Sequence, residues 1–324
     1  MSDPAELAMD WNTYWRGSSG GAAYASEGVD HPLVREFWRR VLTENRQTGA
    51  KPRLLDVASG NGAVVEIVQQ VYGEDDIDIT CLDSSDWAIK SLVERFPSVE
   101  GVVSDARNMP FPDQSFDVAT SQFGVEYAGV GAVDEMARLI APGGTLIFLM
   151  HIRDGMIDRE CVANFNAIKE LNKIEFVRNA KHMFLEARKC VRGESPDNSR
   201  KDYDEAVQVM LTVFDQLKST MMTFGENAAG GTLSTLYYEV DRIHNRIMHH
   251  DLDEVLAWLD TMAAELVAYS GRMRSMSDSA ISESGFDDIV RRLRESNFNV
   301  STSERLQNNE STPPVAWMLV ATRK

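Results

Sequence analysis

The stretch Leu54-Leu55-Asp56-Val57-Ala58-Ser59-Gly60-Asn61-Gly62-Ala63 constrains the fold more than any other part of the chain. A short apolar run leads into a turn of small residues, and the turn opens directly into a segment with helical apolar spacing, Ala63–Tyr72. Two closely spaced glycines let a ligand approach the backbone, and the helix start behind them presents unpaired N–H groups. A dinucleotide-binding GxGxxG fits badly, because its third glycine would fall at Val65. Asp56 on the strand also suits a cationic ligand better than a pyrophosphate.

The surrounding pattern extends this unit. Segments Arg53–Ala58, Ile77–Asp83, Val99–Val103, Phe116–Ser121 and Thr145–His151 read as strands. Several are nearly continuous apolar runs, as strands buried on both faces of a parallel sheet require. Helical stretches Ala63–Tyr72, Ser85–Phe96 and Gly131–Ile140 alternate with them, which predicts a doubly wound α/β core. From 154 to 277 the strand signal disappears and helical spacing takes over, as in Leu233, Leu236, Val240 and Ile243, with a polar break at Arg192–Asp204. A helix at Phe286–Ser296 and strands at Asn299–Leu306 and Val315–Ala321 then resume the core. The expected organisation is N-terminal helices over 1–50, with Leu33, Val34, Phe37, Val41 and Leu42 as their apolar face. The α/β core spans 51–153 and 278–324, and an all-helical insertion occupies 154–277.

With these residues in view, the chain resembles the class I S-adenosylmethionine-dependent methyltransferases. Their first motif reads acidic-x-Gly-x-Gly-x-Gly; here Asp56 leads and Ala58 stands in place of the first glycine. Ile79-Thr80-Cys81-Leu82-Asp83 resembles the family's second strand, whose terminal acid accepts the ribose hydroxyls. Ser104-Asp105-Ala106, followed by Met109-Pro110-Phe111-Pro112-Asp113, resembles the segment whose Asp contacts the adenine amino group. Arg138-Leu139-Ile140-Ala141-Pro142-Gly143-Gly144 resembles the helix-to-strand turn before the fifth strand. The resemblance covers about 50–151 and 285–322, and it is the ordered combination that is specific. It implies a seven-stranded, mostly parallel Rossmann-like sheet and S-adenosyl-L-methionine as cofactor. The implied cofactor residues are Asp56, Ala58, Ser59, Gly60, Asn61 and Gly62 in the first loop, Asp83 and Ser84 after the second strand, and Asp105 and Ala106 after the third. Taken singly, Asp56 also reads as a strand-end cap, Asp83 as a helix N-cap with Ser84 and Ser85, and Pro142-Gly143-Gly144 as a turn rather than a ligand contact.

In such a sheet ligands bind beyond the strand carboxyl ends, where the strand order reverses. Residues leaving the fourth strand, Gln122 to Tyr127, are therefore expected near the reactive methyl, with Gln122 and Phe123 on the cofactor side. His151, leaving the fifth strand beside Arg153, is a candidate base, Glu126 a second, and Tyr127 a candidate for orienting the acceptor; the other reading of His151 is a polar strand-end residue holding a loop. Tyr14, Trp15 and Arg16 precede the flexible Gly17–Gly21 and read either as a cofactor lid or as a helix packed on the core. The insertion is rich in methionine and aromatics, including Met156, Met183, Met210, Met221, Met222 and Met248, which suits an apolar acceptor pocket, ordinary core or a homodimer seam.

Charge narrows the partners. With 33 Lys+Arg against 50 Asp+Glu, the net charge of −17 disfavours nucleic acid and anionic membrane surfaces. No apolar run reaches membrane-spanning length and no secretory signal opens the chain. Cys81, Cys161 and Cys190 form no CxxC pair and the histidines lack ligand spacing, so no metal is expected and a reducing cytoplasm is. The expected function is methyl transfer to a small, partly apolar organic acceptor. Its rivals are an RNA or protein methyltransferase and a non-catalytic S-adenosylmethionine-binding regulator.

Overall fold

The structure, a computed structural model, describes residues 31–46, 51–193 and 199–324. One seven-stranded sheet runs in the order β3-β2-β1-β4-β5-β7-β6. β1 (Arg53–Val57), β2 (Asp78–Asp83), β3 (Glu100–Val103), β4 (Phe116–Gln122) and β5 (Ile140–Met150) are parallel neighbours. β7 (Ala316–Arg323) runs antiparallel between β5 and the edge strand β6 (Phe298–Leu306). This is the mostly parallel α/β sheet expected from the sequence. Its strand order reverses between β1 and β4, which opens a crevice at their carboxyl ends.

The strands are buried for the reason their composition implies. Leu54, Leu55 and Val57 of β1 and Leu146, Phe148 and Met150 of β5 are sealed from solvent. On one face, Leu55, Val57, Phe148 and Met150 share a core with Val133 and Met136 of α5 (Val130–Leu139) and with Phe286, Ile289 and Leu293 of α11 (Glu283–Glu295). Ser282 caps α11 by accepting from the Gly285 N–H at 3.2 Å, so the helix begins three residues before the expected Phe286.

Three local expectations need correction. On α1 (Pro32–Glu44) the buried face is Val34, Phe37, Trp38, Val41 and Leu42, with Leu33 only half-buried at its edge; the buried stripe includes the large indole of Trp38. Pro142-Gly143-Gly144 is not a turn ahead of the fifth strand but an irregularity inside it: Phe116 pairs with Ile140, then Val118 with Thr145. Gly144 is required there, because a Cβ would come 2.7 Å from the Asp117 carbonyl oxygen. Finally, a short helix, α4 (Val125–Ala128), follows β4 where sequence showed only a connecting segment.

The described residues form two compact units, one of those up to Arg159 with Ser275–Lys324, the other Glu160–Arg274. The chain leaves the first unit through α6 (Met156–Lys173) and returns through α10 (Leu252–Ser279). Exit and return are tied within the first unit: Ser277 Oγ donates to Asp158 Oδ1 at 2.7 Å, and the Ile281 N–H to the His151 carbonyl at 2.8 Å. Trp317 of β7 stacks on Phe286 at 4.4 Å and donates its indole N–H to the Ile281 carbonyl at 2.9 Å.

The second unit is helical, with α7 (Phe176–Arg192), α8 (Ser199–Phe224) and α9 (Thr232–Asn245) joining the outer parts of α6 and α10. Its own core includes Phe176, Phe184, Leu217, Leu233, Leu236 and Leu259. Met183, Met210 and Met221 are core, whereas Met156, Met222 and Met248 are exposed.

Candidate active site

The loop after β1 is built from left-handed backbone. Ala58, Gly60 and Gly62 have φ of 55°, 53° and 88°. Ala58, which replaces a glycine of the resembled motif, thus sits where glycine is easiest to accommodate. Gly62 opens α2 (Ala63–Tyr72), and a Cβ there would meet the Phe96 ring at 2.8 Å. The loop is strapped down by the Ser59 N–H to the Leu82 carbonyl at 3.2 Å and the Gly62 N–H to the Ser59 carbonyl at 2.9 Å. Asn61 is half-buried at its crest.

Two buried carboxylates stand beneath this loop. Asp83 accepts from the Gly60 N–H on Oδ2 and from the Ser85 N–H on Oδ1, both at 2.9 Å. It therefore braces the glycine loop; the cap of α3 (Asp86–Arg95) is Ser85, whose Oγ accepts from the Ala88 N–H at 3.1 Å. Ser84 is exposed beside it. Asp56 is paired in register with Cys81 on one side and Thr120 on the other. Its Oδ1 accepts from the Thr120 hydroxyl at 2.8 Å, while its Oδ2 is buried without a hydrogen-bond partner. Burial pushes the Asp56 carboxyl up to about 7, with the neighbouring Asp83 adding to the effect against the Thr120 bond. Burial raises Asp83 as well, opposed by its backbone hydrogen bonds.

Farther along the edge, the Ser104 N–H bonds the Asp83 carbonyl at 3.0 Å, bringing the β3 loop alongside. Asp105 there is exposed and gripped by Arg107, whose Nε lies 3.0 Å from both carboxylate oxygens. That pairing holds the Asp105 carboxyl below its ordinary range. Ala106 is half-buried next to it.

Across the crevice, Gly124 lies so close to the first loop that a Cβ on it would fall 2.3 Å from the Cβ of Ala58. Gln122 points its amide oxygen at Trp38 of α1, whose indole N–H donates to it, leaving the amide NH₂ for other contacts. Phe123, at φ 52°, stacks on the His151 ring at 4.7 Å, and Tyr127 meets the same ring edge-on at 5.8 Å. Glu126 Oε1 accepts from the His151 backbone N–H at 2.7 Å and lies 2.7 Å from its Nδ1; Glu126 Oε2 is buried without a hydrogen-bond partner. The three candidate acceptor-side residues, Glu126, Tyr127 and His151, thus come together, all tied to the ends of β4 and β5. Arg153 turns away and donates to the Ala280 carbonyl at 2.9 Å. Tyr14, Trp15 and Arg16 lie outside the described residues. Among the described residues no cluster has the composition of a metal site.

Sequence reasoning missed Thr120 and Trp38. Gly124 lies in the Gln122–Tyr127 segment expected at the site, but its close approach to Ala58 was not legible. Thr120 and Trp38 become visible only once β4 lies beside β1 and α1 beside the end of β4.

Residues 55–148 match a family model described as a methyltransferase domain. This segment of the α/β core is therefore similar to a class I S-adenosylmethionine-dependent methyltransferase domain. The demethylmenaquinone methyltransferase of Paenarthrobacter aurescens (strain TC1) is 32% identical over 112 residues, 34% of this chain and 43% of the relative. That of Renibacterium salmoninarum is 36% identical over 114 residues, 34% of this chain and 46% of the relative. The ubiquinone/menaquinone biosynthesis C-methyltransferase UbiE of Shewanella pealeana is 30% identical over 126 residues, covering 36% and 49%. The chain therefore spans about half the length of the curated relatives it matches. The residues of the methyltransferase domain fit the cofactor chemically: a glycine loop open to close approach, a buried unpartnered carboxylate oxygen for a cation, and Asp83 braced at the adjacent strand end.

Proposed function

We propose that this protein transfers a methyl group from S-adenosyl-L-methionine to a small, partly apolar organic acceptor. The observation that carries the reading is the convergence of Asp56, Asp83 and the Gly60–Gly62 loop at the strand-order reversal between β1 and β4. Asp56 and the loop Ala58–Gly62 would hold the methionine part, Asp83 and Ser84 the ribose, and Asp105 and Ala106 the adenine. Bound there, the cofactor supplies an electrophilic methyl carbon. The chain's task is to position an acceptor in line with it and keep water out.

Phe123, Glu126, Tyr127 and His151 form the acceptor side of the proposal. Their aromatic surface suits a planar, apolar molecule, and His151 suits a proton bound to the atom that is methylated. A quinone-like acceptor follows the relatives, which are quinone-biosynthesis methyltransferases by name. The proposed setting is the cytoplasm: no helix among the described residues is long and apolar enough to cross a membrane, and the three cysteines are free. Self-association through the helical unit belongs to the same reading, supported by exposed Met222, Tyr238, Met248 and Val267. Sedimentation velocity tests it, and a monomer at all concentrations would remove it.

Calorimetric titration with S-adenosylmethionine tests the cofactor. Formation of S-adenosylhomocysteine on adding reduced demethylated quinones tests the transfer. Saturable binding and acceptor-dependent product are expected, and no binding between pH 6 and 8 would overturn the reading.

A further inference from the structure

Asp56 and Asp83 end adjacent strands, both are buried, and among the described residues no lysine or arginine side chain is buried with them. Asp83 is compensated by two backbone N–H groups. Asp56 has the Thr120 hydroxyl on one oxygen and nothing on the other. Facing it from β2 are the carboxylate of Asp83 and the thiol of Cys81, which burial keeps neutral; from β4 comes only Thr120. A buried charge with no counter-charge is unstable, so such a group neutralises itself with a proton or waits for a cation.

We propose that Asp56 exchanges its proton for the positive charge of the cofactor, so that binding of S-adenosylmethionine releases a proton and the site selects cationic over neutral nucleosides. This rests on the cofactor assignment of the preceding section, and it makes Asp56 a specificity-determining residue rather than a passive part of β1. The ligand carries a sulfonium and an ammonium. Either placed near Oδ2 supplies the counter-charge that β1, β2 and β4 lack, and the displaced proton goes to buffer. A neutral nucleoside cannot do this, and it binds with Asp56 still protonated. The elevated position of the Asp56 carboxyl, about 7, places the exchange inside an accessible pH range.

The test uses the full chain, with S-adenosylmethionine and uncharged 5′-methylthioadenosine as probes. Titrations run between pH 5.5 and 7.5, in buffers of different ionisation enthalpy. Affinity for S-adenosylmethionine is expected to rise about twentyfold across that range, as linkage to one group titrating near 7 requires. At pH 6.5 more than about half a proton should be released per ligand, and methylthioadenosine should show neither effect. Asp56→Asn should abolish the pH slope while still binding methylthioadenosine, which reports that the loop is folded. Tight but pH-independent binding of S-adenosylmethionine, or a slope that survives in Asp56→Asn, would overturn the exchange. Absence of S-adenosylmethionine binding with methylthioadenosine retained would instead overturn the cofactor assignment.

Discussion

Glu126 reaches from the short helix after β4 to the end of β5, where its Oε1 accepts the backbone N–H of His151 at 2.7 Å and lies 2.7 Å from the ring Nδ1 of the same residue. One buried carboxylate therefore holds the main chain of the candidate base and lies against its ring. Truncation to Ala would leave that buried N–H unsatisfied, at a cost of about 1–3 kcal/mol. Glu126→Gln keeps an acceptor for it and should lose less. Denaturant melts of the two variants check this, and equal losses would mean that the carboxylate does not brace the strand end.

His151 itself is packed by Phe123 and Tyr127 and buried. Replacing it by Gln is expected to lower kcat at least about tenfold if it accepts the acceptor's proton, since general base contributions run to about a hundredfold or more. The dissociation constant for S-adenosylmethionine should change little. A loss confined to cofactor affinity, with kcat intact, would reassign His151 to holding the loop.

The contact between Gly124 and Ala58 gives a pair experiment. Gly124→Ala places two Cβ atoms about 2.3 Å apart and must force the β1 and β4 loops to separate. Overpacking of this kind costs about 1–3 kcal/mol and should weaken cofactor binding. Ala58→Gly alone should be close to neutral: it relieves a left-handed alanine at φ 55° but adds chain entropy to the unfolded state. The double variant removes the colliding atom and should recover much of the loss, a coupling that a double-mutant cycle in thermal stability reads directly. Simple additivity would show that the strain at Gly124 lies elsewhere.

That pair also marks how far the sequence could be read. Leu54–Ala63 disclosed its strand, turn and helix because burial on both faces and the small-residue turn each leave a local trace. The resumption of strands after 298 placed the helical segment as an insertion for the same reason. The partners of those residues left no trace. Thr120 on Oδ1 of Asp56, Trp38 on Gln122, and Arg107 across both oxygens of Asp105 depend on strand order and loop approach, which no single segment encodes. Asp83 illustrates the difference: its strand-end position was legible, but its bracing of Gly60 required the fold.

Stability of the unliganded protein should fall as pH rises toward neutrality. Asp56 is raised to about 7 in the folded state and titrates near 4 when unfolded, so between those values the folded chain binds the extra proton. Unfolding free energy then decreases with increasing pH through that window, by up to about 4 kcal/mol from this group alone. Asp83, raised by burial, contributes with the same sign, while Asp105, held low by Arg107, contributes weakly in the opposite sense because the pair is exposed. Asp56→Asn should flatten the profile, and saturating S-adenosylmethionine should do so as well, by stabilising the ionised form. Denaturant midpoints between pH 4.5 and 8 decide it. A wild-type profile that coincides with that of Asp56→Asn would mean that the buried carboxyl is ionised throughout and already compensated.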